Sequence, residues 1–149
     1  MRSITTLLAI GAIAAAGSVM AQEKQPVSTD GTNPSTWKAE QEALKAAPGN
    51  HKVIFENADI RVLSVTVAPG ETEPLHNHPW PSVMVIDSLT KLADYDAAGK
   101  EIKLPLPAKL EFPVIAKMPP QAAHRVKNLD TKPFHAIRIE FKKGYPTAP

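Results

Sequence analysis

Apolar and polar residues alternate with a period of two through most of the chain beyond its first third. In the clearest segment, DIRVLSVTVAP, Ile60 and Val62 fall on one face, while Leu63, Val65 and Val67 fall on the other. Such residues on both faces predict a strand that is at least partly covered on each side. Similar segments, separated by turns rich in Pro, Gly and Asp, are KVIFEN, SVMVID, LTKLADYD, EIKLPL, FPVIAKM, AHRVKNL and PFHAIRIEF. Many short strands without intervening helices predict an all-β sandwich or closed barrel.

The segment before these strands has a different pattern. Residues 22–33 are polar and predict a flexible arm. Asn33 can cap a short helix that has Pro34 in its first turn and runs through WKAEQEALKAA to Pro48. This helix has few large apolar residues, so we expect it only to lie across the barrel.

The first residues have the features of a secretory signal peptide. Arg2 supplies an early positive charge, an uncharged apolar run follows, and the small residues Val19 and Ala21 bracket Met20. A retained membrane anchor is the alternative, but the run is short for a membrane span and rich in Ala and Gly. We therefore predict cleavage after Ala21 and a periplasmic or secreted protein. The predicted division is a signal peptide at 1–21, an arm with a short helix at 22–50, a barrel at 51–143 and a C-terminal tail at 144–149.

Charge and cysteine content narrow the expected partners. The chain has 17 Lys and Arg against 15 Asp and Glu, without the clustered cations that bind phosphate backbones. We expect no nucleic-acid partner, and no membrane contact once the leader is removed. The chain has no cysteine, so no disulfide stabilises it, and burial of the core must do so, together with any bound metal. A small molecule is the expected partner, and a homodimer is left open.

Three of the five histidines have the spacing of metal ligands. His76 and His78 are two residues apart, so on a strand their side chains point to the same face. His124 follows about 45 residues later, after the Pro-marked turn at Pro119. Neutral imidazoles suit transition metals better than Mg²⁺ or Ca²⁺. The sequence therefore predicts one divalent transition metal ion, with Fe, Zn, Mn, Ni and Cu all open, bound by His76, His78 and His124.

These residues resemble the two sequence motifs of the cupin superfamily. The first motif is G-x5-H-x-H-x(3,4)-E-x6-G, and the segment from Gly70 to His78 matches its front half. The second is P-x-G-x2-H-x3-N, and Pro119, His124 and Asn128 stand at its spacing. The resemblance covers roughly residues 53–141 and implies a double-stranded β-helix, a jelly-roll-like barrel. The sequence looks most like small single-domain cupins.

The chain also departs from the cupin motifs. The motif Glu should stand at Ser82 or Val83, its later Gly is missing, and Gln121 replaces the Gly of the second motif. Three neutral ligands leave the charge of a dication uncompensated, which favours an anionic substrate. Three-histidine centres in this family imply a dioxygenase as the first reaction class, with an isomerase or hydrolase also open. The alternative is a non-catalytic module that binds a small ligand or metal, which the relaxed motifs favour.

Four further residues are candidates for the pocket or for support of the metal ligands. His135 shares a strand face with Ile137 and could support a ligand if that face lines the barrel, although a core histidine is the simpler interpretation. Trp80 lies between two prolines and could close the cavity mouth, and Met84 is in phase with Ser82 on one strand face.

The remaining polar candidates are assigned structural or surface positions. Glu73 lies three residues before His76 and is interpreted as a solvated loop carboxylate, because the family has no ligand there. His51 precedes the first strand and is predicted to lie at the surface. Arg125, Lys127 and Arg138 alternate with apolar residues, which predicts an outward strand face. No residue is assigned as a general base.

Overall fold

The computed structural model describes residues 27–103 and 111–146. The predicted signal peptide lies outside the described residues. Among them are nine strands, β1 to β9 in chain order, at His51–Glu56, Ile60–Val67, His76–His78, Ser82–Ser88, Leu92–Asp96, Glu101–Ile102, Val114–Met118, Gln121–Asn128 and Phe134–Phe141. The all-β prediction is confirmed.

The strands form two antiparallel sheets that enclose the interior of a barrel. One sheet has five strands in the order β1-β2-β9-β4-β7, and the other has four in the order β3-β8-β5-β6. The apolar core contains Leu63 and Val67 of β2, Ile86 of β4, Val114 of β7 and Phe134 of β9, all buried. The core lies on the inner face of the five-stranded sheet, as the period of two requires.

Strand β9 has the opposite orientation to the one that its alternation suggested. Phe134, Ala136, Arg138 and Glu140 are buried, whereas the four residues that alternate with them are half-buried. The aliphatic face that contains His135 is therefore the outer one, and the prediction that Arg138 points outward is wrong. Burial of these charges is possible because each is paired inside the barrel, as described below.

The segment before β1 does not form one continuous helix. It forms two 3-10 turns at Pro34–Thr36 and Ala39–Gln41 and a single α-helical turn, α1, at Ala43–Ala46. Extended backbone at Lys38 and Glu42 separates the turns. The Glu42 carboxylate accepts from the backbone N–H of Leu44 and also pairs with Arg61, so tertiary contacts override helix propensity here.

Both ends of the described chain are attached to the barrel. Thr29 donates its backbone N–H to the Pro120 carbonyl at 3.0 Å, so the described part of the predicted flexible arm contacts the turn that precedes β8. The Tyr145 hydroxyl lies 2.7 Å from the Ser82 carbonyl and 2.6 Å from the Met118 carbonyl, which holds the chain end against β4 and β7. Within residues 27–103 and 111–146, no helix has the length and apolar character needed to cross a membrane.

Candidate metal centre

Strands β3 and β8 bring the motif histidines together. His76 and His78 are buried on the inner face of β3, and β8 pairs with this strand in antiparallel register. His76 lies opposite His124 and His78 lies opposite Gln121, so three residues of β3 face four of β8. Such a bulge redirects side chains. Here both Gln121 and His124 line the same cavity although they are three residues apart.

Each motif histidine is oriented by a hydrogen bond from its Nδ1 atom. Nδ1 of His76 donates to the Pro74 carbonyl at 2.8 Å. Nδ1 of His78 donates to Glu140 and Nδ1 of His124 donates to Asp94, each at 2.9 Å. An acceptor at Nδ1 fixes the tautomer that leaves the lone pair on Nε2, the nitrogen then free to bind a metal.

His51 is a fourth histidine of the same cluster. It is only 3% exposed, so the prediction of a surface position is wrong. The register of β1 with β2 pairs His51 with Val65, one of the residues that line the cavity. Its Nδ1 donates to the Ala47 carbonyl at 3.2 Å, which again leaves Nε2 available. Ligand nitrogens of His51, His76 and His78 all lie within 4.8 Å of one another.

His124 lies beside this trio. Its ring centroid is 4.7 Å from that of His76 and 5.8 Å from that of His78. Its Nε2 is buried and has no hydrogen-bond partner among the described residues. An unpartnered buried nitrogen is costly unless something binds it, and a metal ion satisfies that requirement. The donor set of neutral imidazoles therefore fits a transition metal ion such as Zn, Fe, Ni or Cu.

Glu73 is a buried carboxyl at the edge of the histidine cluster. It is 3% exposed, so its interpretation as a solvated loop residue is wrong. One oxygen, Oε1, has no hydrogen-bond partner within the described part of the chain and lies 3.9 Å from Nε2 of His51. Burial first, and then the charges of Glu71 and Asp94, raise the pKa of Glu73 to about 8. The carboxyl stands three residues before His76, so the chain has an acidic group at the site although the motif Glu is missing.

Burial keeps His51, His76 and His78 neutral. It lowers the pKa of His51 to about 4 and that of His76 to about 2, and it holds the pKa of His78 well below its ordinary value. The positive charge of Arg138 lowers the pKa of all three further. Neutral imidazole is the form that binds metal ions, so the site is prepared for a ligand role at physiological pH.

A chain of buried ion pairs supports the cluster from the five-stranded sheet. Arg61 donates from Nε to Glu140 at 2.7 Å, and its Nη2 donates to Glu42. The second oxygen of Glu140 accepts from His78 and lies 3.4 Å from Nε of Arg138. Arg138 donates from Nη1 to Oε1 of Gln121 at 2.7 Å. Two guanidinium groups are thus balanced by two carboxylates, which makes their burial tolerable.

The four histidines line a cavity of about 510 Å³. Along β9, Phe134 lies at the end of this cavity that also has the paired residues Ile86 and Val114, whereas Arg138 lies four residues further on, at the end that has His78. Other parts of its wall are apolar and include Met84, Ile86, Leu92, Val114 and Phe134. A volume of this size lies within the range of small-molecule sites.

Three of the four remaining sequence candidates are not among the residues that line this cavity. His135 lies on the outer face, where Nδ1 donates to Asp87 at 2.7 Å and Nε2 lies 3.1 Å from the Ser64 hydroxyl. Trp80 lies over the guanidinium of Arg61, with its ring centroid 4.7 Å from Cζ. Ser82 is fully buried beside Glu140 in the register of β4 with β9. Of the four pocket candidates, only Met84 lies on the cavity wall.

Comparison with solved structures identifies the fold. A cupin domain from Bordetella pertussis Tohama I is 23% identical and aligns over 62% of this chain and 91% of its own, with a TM-score of 0.52. A double-stranded β-helix protein from Klebsiella pneumoniae is 21% identical over 60% of this chain and 72% of its own, at a TM-score of 0.43. An RmlC-like cupin protein from Desulfovibrio desulfuricans is 16% identical over 70% of this chain and 94% of its own, at 0.42. No protein-family model and no curated protein matches the sequence. The chain has the cupin fold.

Proposed function

We propose that this cupin-fold chain binds one divalent transition metal ion through His51, His76, His78 and His124 and acts on a small anionic molecule. The observation that carries the proposal is that all four imidazoles donate from Nδ1 to a protein acceptor. Their Nε2 atoms are therefore the available ligands, and all four residues line one cavity. A bound ion would polarise a substrate oxygen and acidify a water molecule.

The chain's own residues hold the ligands rigid and shield the site. Glu140 and Asp94 fix the rings of His78 and His124 and increase their basicity as ligands. Apolar residues such as Ile86 and Val114 exclude water from the other parts of the wall. A dioxygenase is our first choice of reaction class, because three-histidine cupins imply that precedent. An isomerase or hydrolase would use the same ligands.

The second candidate function is a binding module without turnover, and one specific observation favours it. His51 adds a fourth imidazole to the three that the motifs supply. Four protein ligands complete a tetrahedral site, the arrangement typical of closed, structural zinc. A six-coordinate ion would still keep two positions for substrate. The number of exchangeable positions therefore separates the two functions.

Metal content of purified variants tests the metal centre itself. We expect the unaltered chain to retain about one ion per chain and His76→Ala to lose at least 100-fold in zinc affinity. His135→Ala, a histidine outside the cavity, is the matched control and should retain the ion. Equal metal content in His76→Ala and the unaltered chain would refute the proposal. Chelation should also lower the melting temperature of the unaltered chain, because the ion stabilises only the folded state.

Exchangeable coordination positions are tested spectroscopically on the iron form. If the chain is an enzyme, azide should change the absorption spectrum of the unaltered protein. If His51 closes the site, azide should change the spectrum only in His51→Ala. A spectrum that azide leaves unchanged in both proteins would exclude the enzymatic alternative.

A further inference from the structure

Arg138 is a buried cation whose binding capacity the protein does not fully use. The residue is 2% exposed and lines the same cavity as the histidines. Its Nη1 atom donates to Gln121, but Nε and Nη2 have no hydrogen-bond acceptor among the described residues. Nε lies 3.4 Å from the Glu140 carboxylate, whereas Nη2 appears in no ion pair of the described structure. A buried N–H group without an acceptor is normally satisfied by something that binds there.

We propose that Arg138 anchors the carboxylate of a small organic acid whose apolar part occupies the opposite, hydrophobic end of the cavity. The inference rests on the proposed function in placing this acid beside the metal centre. A planar guanidinium presents parallel N–H groups that match the two oxygens of a carboxylate. The Gln121 contact holds the guanidinium in place from the other side.

The position of Arg138 relative to the histidines supports this assignment. Glu140 links Arg138 to the histidines, because its Oε1 atom accepts from Nδ1 of His78 at 2.9 Å and lies 3.4 Å from Nε of Arg138. Burial lowers the pKa of Arg138 to about 10, so the group remains a cation at neutral pH. An acid held by Arg138 would therefore lie next to the candidate ligands.

Other charged groups on the cavity wall are less suited to bind an anion. The cavity wall has three cationic residues, Arg138, Lys103 and Lys117, and three acidic residues, Glu73, Asp94 and Glu101. Lys117 lies over the ring of Tyr145 at 4.2 Å, and Lys103 is exposed. Asp94 is already bonded to His124. Arg138 alone among the three cations is both buried and incompletely bonded within the described residues.

The apolar walls define the rest of the ligand. Ile86, Val114 and Phe134 are buried core residues that also border the cavity. An inorganic oxyanion would leave these surfaces without a partner, whereas a short aliphatic acid would contact them and remove them from water. The ligand class is accordingly a monocarboxylate with an apolar body rather than a phosphate or sulfate.

Calorimetric titration with hexanoate and its neutral analogue hexanamide tests this anchor. We expect hexanoate to bind the zinc-loaded full chain at least about 10-fold more tightly than hexanamide, because only the acid pairs with the guanidinium. Inorganic phosphate should bind more weakly than hexanoate. Hexanamide or phosphate binding as tightly as hexanoate would overturn the proposal.

Two arginine variants assign the effect to Arg138. Arg138→Gln should weaken hexanoate binding by about 10- to 100-fold and leave hexanamide binding unchanged. Arg125→Gln is the matched control: it also removes a guanidinium from a barrel strand, but Arg125 is not among the described residues that line the cavity, so hexanoate should bind as before. Equal weakening in both variants would overturn the assignment. If Arg138→Gln does not fold, Arg138→Lys keeps the charge without the planar fork and should still weaken hexanoate about 10-fold.

The same samples separate this inference from the proposed function. Zinc content is measured on each before titration, and the titration is repeated after chelation. Absence of zinc from the unaltered chain would refute the metal centre. Retained zinc without selectivity for hexanoate would refute the carboxylate anchor.

Discussion

The two ends of the cavity show how one barrel interior serves two purposes. At one end, buried polar groups such as His78 and Arg138 are bonded to partners on other strands. At the other end, the residues are apolar: they belong to the hydrophobic core and also line the cavity, and they include Ile86, Val114 and Phe134. This difference predicts that the two ends contribute to different properties of the protein. The apolar end should dominate the free energy of unfolding, and the polar end should dominate binding.

The largest expected effect is on stability, from the apolar end. Phe134→Ala should lower the free energy of unfolding by about 3–5 kcal/mol, because a buried aromatic ring is lost from the core. The number of zinc ions bound per chain should not change. Urea unfolding and zinc titration measure the two quantities. Leu129→Ala, at a position 44% exposed, is the control and should change stability by less than about 0.5 kcal/mol. Loss of zinc in Phe134→Ala would contradict the prediction that the two ends contribute to different properties.

The next effect concerns the polar end and its supporting carboxylates. Asp94→Asn should weaken zinc binding by about 10- to 100-fold, because the amide can still accept from His124 but no longer carries the charge that increases its basicity. Asp87→Asn is the matched control, since Asp87 accepts from His135 outside the cavity. Competition with a chromophoric chelator measures both affinities. Equal affinities for the two variants would argue against His124 as a ligand.

The pH dependence of the metal-free protein sharpens the comparison further. His51, His76 and His78 have lowered pKa values, so below their ordinary value of 6.5 the unfolded chain binds more protons than the folded one. Stability should fall on acidification from pH 6.5, by up to about 1.4 kcal/mol per pH unit for each histidine. Glu73 has the opposite effect on the pH dependence of stability: its pKa is raised from 4.5 to about 8, so in this range the folded chain holds a proton that the unfolded chain has lost. Stability should therefore also fall as the pH rises from 6.5 to 8.

Thermal unfolding with chelator present, scanned over pH, measures this profile, which should have its maximum near pH 6.5. Glu73→Gln is the discriminating variant, since it should remove the decline on the alkaline side and keep the decline on the acid side. A profile that Glu73→Gln leaves unchanged would contradict the burial of a protonated carboxyl at this position.

The smallest effect is expected on the outer face. The side chains of His135 and Asp87 are 32% and 56% exposed, and solvent screens an ion pair of this kind. His135→Ala should lower the free energy of unfolding by less than about 1 kcal/mol, as measured by urea unfolding. A loss above about 2 kcal/mol would mean that this face is covered by a contact that the described chain does not contain.

The fold could be predicted from the sequence because strand alternation is local. The segments from Ile60 to Val67 and from Ser82 to Ser88 carry the period of two in their own residues, and both are strands. The spacing of His76, His78 and His124 likewise depends on two local motifs. The prediction of one continuous helix before β1 was wrong for the opposite reason: Glu42 pairs with Arg61, 19 residues away, and no helical pattern encodes that contact.

The buried positions that the sequence did not predict depend on contacts between distant parts of the chain. Arg61 and Glu140 are 79 residues apart, and no local pattern reveals that each neutralises the other inside the barrel. On β9 the face with more aliphatic residues is the outer one, so the alternation wrongly predicts that this face points inward and that Arg138 points outward. His51 gave only one signal, its position at the start of a β-branched strand, and its inward orientation depends on how β1 pairs with β2.

The two-faced character of β9 also affects how the barrel assembles. Since both of its faces include apolar residues, hydrophobicity alone barely distinguishes the native strand pairing from one shifted by a single residue. A shifted strand would expel Arg138 and Glu140 from the interior, leave Arg61 with Glu42 as its one remaining carboxylate among the described residues, and remove the acceptor of His78 Nδ1. Electrostatic pairing therefore favours the native register of β9. The residues that we assign to binding are the same ones that destabilise the shifted arrangement.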